Sequence, residues 1–140
     1  MNNELTLDLM YARAVDEVAH HLDSAFKFLI GYEALIAQNL TILDEGYSDI
    51  DFTQQCFLSR LSRAQSNAFA FLLIFRDSSF SDRLRIIETW TSKIQYSTDV
   101  FQNVEHYKTL IKHVADSMRS GTLELPVSIS VEKYPPNSVE

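Results

Sequence analysis

Residues 4–29, ELTLDLMYARAVDEVAHHLDSAFKFL, carry apolar side chains at Leu5, Leu9, Ala12, Val15, Val18, Ala19, Leu22, Phe26 and Leu29. Recurrence at three and four places these groups on one stripe of an α-helix. The same reading leaves Asp8, Asp16, Glu17 and Asp23 for other faces. Leu35, Ile36, Leu40 and Leu43 continue the pattern past Gly31, so the helical region runs over 4–43. Gly31 costs about 1 kcal/mol relative to alanine in a helix interior. It marks a kink, a break or a close crossing, and the spacing fits one long helix or two.

The rest of the chain follows from this first segment. Asp44 to Asp51 reads as a loop in which Gly46 suits a position just past a helix end. Asp51 with Gln54 forms a capping-box pattern for a helix over 52–76. Its stripe is Phe57, Leu61, Ala64, Ala68, Phe71/Leu72 and Phe75. The run Phe69 to Phe75 is apolar on every side, which predicts the centre of the core. Asp77 to Ser81 is a short turn, so the flanking helices are expected to be antiparallel neighbours. Leu84, Ile87, Thr91 and Ile94 give one further stripe, and Phe101, Val104, Tyr107, Ile111, Val114 and Met118 another. One helix over 82–119 would be about 57 Å long at 1.5 Å per residue. A break at Ser97 to Asp99 is therefore expected, and Gly121 ends the last helix. The fold class is all-α: an antiparallel bundle of four to five helices over residues 1–121.

After Gly121 the period changes to two. Leu123, Leu125, Val127, Ile129 and Val131 alternate with Glu124, Pro126, Ser128 and Ser130. This predicts an extended tail, 122–140, containing a lone β-strand. The backbone groups of such a strand need partners. They can be found on the chain's own helices, on a second copy, or on the sheet edge of another protein.

Composition narrows the function classes. The 140-residue chain has three glycines and three prolines, which disfavours turn-rich sandwiches and barrels. Its one cysteine, Cys56, cannot close an internal disulfide, and the first residues lack the pattern of a signal peptide. The longest apolar run, Ala68 to Phe75, falls short of the roughly 20 residues of a membrane span. A cytoplasmic protein without membrane contact is expected. The net charge of −7 is uneven. Residues 1–50 hold nine acids against Arg13 and Lys27, whereas residues 51–121 hold seven acids and nine bases. An acidic surface steers basic partners and disfavours direct nucleic-acid contact by that part of the chain.

Candidate chemical motifs are incomplete. Glu17 and His20 form one Glu-x-x-His pair, but a helical di-iron site needs two such pairs and two more glutamates. Asn103 stands where a second glutamate would precede His106. His106 and His113 lie about 10 Å apart along a helix, too far to share an ion easily. No cofactor or metal is expected. Arg60, Arg63, Arg76, Arg83 and Arg85 crowd the middle of the chain, where they suit phosphates or carboxylates. The preferred reading pairs them with the acidic first helix. Cys56 sits among Phe52, Phe57 and Leu58, which suits a packed thiol.

Arg13 and His20 are separated by six residues. This spacing resembles the Arg-x(4–6)-His motif of HEPN-type helical domains, many of which are RNases acting at a dimer interface. The resemblance covers these two residues and the bundle architecture, and implies catalytic roles for Arg13 and His20. Ala14 stands where that family usually carries a polar side chain, and the motif lies in the first helix instead of a later one.

The reading adopted is a non-enzymatic protein–protein interaction module. It has the profile of a small acidic inhibitor, immunity-type, anti-defence or adaptor protein of a phage or mobile element, acting by occupying a partner surface. Asp8, Asp16, Glu17 and Asp23 are the expected contacts to a basic partner surface. Leu125, Val127, Ile129 and Val131 are the expected contacts of the tail, and a homodimer is expected. The alternative is the HEPN-like RNase using Arg13 and His20.

Overall fold

The computed structural model describes residues 3–126. Four α-helices follow one another: α1 (Asn3–Ile36), α2 (Tyr47–Ile74), α3 (Ser81–Gln95) and α4 (Val104–Ser120). A short 3₁₀ turn, Val100–Gln102, precedes α4. The buried positions explain why they assemble side by side. They include Val15, Val18, Leu22, Ala25 and Leu29 on α1, with Ala14 and Ala19 beside that stripe, and Phe57, Leu61, Ala64 and Ala68 on α2. Leu84, Ile87, Thr91 and Ile94 follow on α3, and Tyr107, Ile111, Val114 and Met118 on α4. Alternating steps of three and four average 3.5, the repeat that keeps one seam facing neighbouring helices along a bundle.

Cross-helix partners fix the directions. On α1 and α2, Glu17 meets Asn67, His21 meets Arg60, and Gly31 lies beside Thr53. On α1 and α4, Asp16 and Asp23 meet Arg119, while Glu33 meets Lys108. Gln65 of α2 bonds Glu88 of α3. Each pair runs in opposite senses, giving an up-down-up-down bundle. α1 packs along both α2 and α4, α2 also packs on α3, and α3 meets α4 only sparsely. Aromatic clusters pin the ends. Tyr11 stacks on Phe80 at 4.1 Å and meets Phe75 edge-on at 6.2 Å. At the other end, Phe101 packs against Tyr32 and Phe57.

The helix limits differ from the sequence expectation at several points. α1 runs unbroken through Gly31 and ends at Ile36, not at 43. Asn39 there takes a left-handed conformation (φ 53°), and Asp44 accepts from the backbone N–H of Thr41 at 2.6 Å, so local turn bonds replace the helix. α2 starts at Tyr47, which leaves Asp51 inside the helix; the capping-box assignment was wrong, and Gly46 is the N-cap. Leu9 and Ala12 lie outside the core, and Tyr11 takes the inward place beside Phe75. The run from Phe69 to Phe75 is not the core centre. Only Phe75 is buried, whereas Phe69, Leu73 and Ile74 are exposed, because α2 meets neighbours on only part of its circumference here. The break before α4 and the stop at Gly121 are as expected. Gly121 has φ 76°, and Thr122 N–H donates to Ser117 O at 2.9 Å, closing the helix end.

No strand occurs among the described residues. Leu123 packs on the core while Leu125 is exposed, so the expected one-face alternation does not hold over the first tail residues. These residues lie along α3, where the Trp90 indole N–H donates to the Glu124 carbonyl. Val127, Ile129 and Val131 lie outside the described residues. Trp90→Phe removes that donor and leaves the ring. A net hydrogen bond is worth about 1 kcal/mol, so the melting temperature should fall by about 4 °C. Thermal circular dichroism checks this.

Candidate interaction surface

The acids of α1 divide by face. Asp16 and Asp23, seven residues apart, both reach Arg119 of α4, at 3.6 and 2.7 Å. Ten residues further along α1, Glu33 binds Lys108 of α4 at 2.6 Å, and Glu105 of α4 itself joins the same ammonium at 3.2 Å. Asp16, Asp23 and Glu33 clamp α1 to α4. Glu17 faces α2 instead, where it accepts from Asn67 at 2.9 Å. Asp8 is exposed. The cations paired with α1 are thus Arg119 and Lys108. Among the described residues, Arg60, Arg63, Arg83 and Arg85 have no carboxylate within 4.0 Å, and Arg76 reaches only its neighbour Asp77 at 3.9 Å. The pairing expected between the five middle arginines and the acids of α1 is not found among the described residues: Arg60 is turned to the His21 ring, and Arg83 shares a groove with Asp16, whose carboxylate is held by Arg119.

The seam between α1 and α2 opens to solvent as two shallow grooves. One is apolar, of about 230 Å³, lined by Met10 and Ala14 of α1 and by Phe71, Ile74 and Phe75, with Arg13 and Glu17 at its rim. The other, of about 290 Å³, is lined by Phe28 of α1 and by Gln55, Cys56, Ser59, Arg60 and Arg63 of α2. Between them the Glu17–Asn67 bond and the His21–Arg60 contact cross the seam. His21 is buried, and its Nδ1 lies 3.4 Å from Arg60 Nη1. That contact suits a neutral imidazole accepting from a guanidinium.

Burial, followed by the charge of Arg60, pushes the His21 pKa below its ordinary 6.5. As pH falls, the unfolded chain therefore takes up this proton first. The stability from neutral His21 is complete above about pH 6.5 and is lost as pH drops through the lowered folded value. Thermal melts at about pH 7.5 and about pH 5 should show a larger fall for the wild type than for His21→Leu.

Exposed apolar side chains are distributed unevenly. Among the described residues, twelve of the fourteen exposed large apolar side chains belong to α1, α2 or their connection. None lies within α3 or α4; the other two are Tyr96 and Leu125. Leu9, Met10, Leu73 and Ile74 gather where α1 begins and α2 ends. Ile42 (78% exposed) and Leu43 (92%) cap the opposite end, with Phe52 (66%) one turn before Cys56.

Arg13 and His20 are both exposed on α1; Arg13 lines the apolar groove and His20 lies beyond it. Leu125 is exposed. Among the described residues no three His, Cys, Asp or Glu side chains gather in a way that holds a metal ion, and no helix is long and apolar enough to cross a membrane. Met10 and Ile74 were missed by sequence reasoning. Ile74 lay hidden in an all-apolar run, where periodicity gives no inward side. No known family, curated protein or solved structure matches this chain.

Proposed function

We propose that this protein is a non-enzymatic interaction module of the inhibitor or adaptor kind, whose contact surface is the outer face of the α1–α2 hairpin. One observation carries the reading: the exposed large apolar residues concentrate on this hairpin, while α3 and α4 present none. A solvated bundle has no folding reason to expose Met10, Leu73 and Ile74 together, since each exposed apolar side chain forgoes its burial energy. An occupant of the seam would cover them. Asp16, Asp23 and Glu33 of α1 then serve to hold α4.

The test is isolation of the complex from the cells that make the protein, with wild type and with Met10→Gln/Ile74→Gln. The double variant should fold and lose the partner. Retention of the partner by that variant contradicts the reading. An RNA-cleaving activity abolished by Arg13→Ala or His20→Ala would instead support the nuclease alternative.

A further inference from the structure

The groove beside Phe28 has the chemistry of a receptor for a charged group. Arg60 and Arg63 stand one turn apart on α2 and both line it. Neither has a carboxylate within 4.0 Å among the described residues, and no acid lines the groove. Arg60 is held on its inner side by buried His21, which fixes the guanidinium without neutralising it. Ser59 and Gln55 add neutral donors at the rim. Arg60 is half-buried and Arg63 exposed, so the groove offers two forked donors, one of them partly withdrawn from water, in a protein whose overall charge is −7.

We infer that the Arg60–Arg63 groove binds carboxylates of an acidic, amphipathic peptide segment of the partner, whose apolar side chains lie in the Met10–Ile74 groove. Arginine forks match carboxylate geometry in two-point contacts. The two grooves are centred about fourteen residues apart on α2, or about 20 Å, the length of a four-turn helix. Helix-in-groove docking uses this combination of apolar anchors and charged flank. A nucleic acid would also satisfy two arginines. It would gain nothing from the apolar groove, which takes the apolar side chains of a peptide. The inference rests on the α1–α2 face being the contact surface, and it adds the chemistry of what binds there.

Cys56, the chain's one cysteine, lines this groove and reports its occupancy without any substitution. Alkylation of Cys56 by a small thiol reagent is followed in full-length protein with four probes. These are a fourteen-residue peptide of alternating Glu and Leu clusters, the same peptide with Gln for Glu, a single-stranded RNA oligonucleotide, and inorganic phosphate. The acidic peptide should slow alkylation at least fivefold, and the Gln peptide should not. Protection should disappear in Arg63→Gln, whose side chain is exposed and whose fold is checked by its melting temperature, and in Arg60→Gln. Equal protection by the two peptides, or none by the acidic one, overturns the site. Protection by RNA or phosphate at lower concentration than the peptide overturns the assignment to a peptide. Failure of the broader reading shows differently, as retention of the native partner by Met10→Gln/Ile74→Gln whatever happens at Cys56.

Discussion

Phe57→Ala is expected to destabilise the fold by about 3–5 kcal/mol. Phe57 is the largest fully buried side chain among the described residues. Its ring meets Phe101 edge-on at 5.6 Å, and Phe101 in turn packs on Tyr32 at 4.9 Å. One deletion therefore opens a cavity at the seam of α1 and α2 and unseats the 3₁₀ turn that leads into α4. The bundle cannot close the gap easily, since Leu61 and Leu29 are already fully buried in the same core. Domains of this size are held by about 5–15 kcal/mol in total, so the loss is a large share. Urea unfolding followed by circular dichroism should show an earlier midpoint with a similar slope. Phe57→Leu keeps most of the volume and should cost only about 1–1.5 kcal/mol.

Met10→Gln/Ile74→Gln is expected to weaken partner binding by at least about thirtyfold, equivalent to roughly 2 kcal/mol or more, the scale of an interface hot spot. Glutamine matches these side chains roughly in length and adds no charge, so neither the −7 balance nor the dipole at the end of α2 changes. Ile74 is 64% exposed and Met10 is also exposed, which leaves little folding energy to lose. Stability should stay within about 0.5 kcal/mol of wild type for each change. Binding lost with stability kept separates a contact role from a packing role. Titration calorimetry with the co-purified partner, set beside thermal melts, reads both quantities.

The helices were legible because their apolar positions recur at three and four, and the stripes of α3 and α4 read from sequence are the ones found buried at Leu84, Ile87, Thr91, Ile94, Ile111, Val114 and Met118. The ends of α1 and α2 were less legible. Asn39 in the left-handed region and the Thr41–Asp44 turn bonds decide them, and neither leaves a periodic signature. The surface was hardest to read. Composition shows that the first third is acidic, but only the rotational setting of α1 shows that Asp16 and Asp23 are spent on Arg119. An all-apolar run such as Phe69 to Phe75 has no preferred side, so its exposure could be read only once the neighbours of α2 were known. Arg60 and Arg63 were visible as arginines but not as unpaired ones.

The central claim is that the α1–α2 face meets the partner and the opposite face does not. Site-specific photo-crosslinking in the producing cells tests it most directly. p-Benzoylphenylalanine is placed one position at a time at Ala70, exposed near the end of α2, at Arg85 of α3 and at Lys112 of α4, both exposed on the other helices. An adduct from position 70 with none from 85 or 112 is the predicted result. Adducts from 85 or 112 with none from 70 would contradict it.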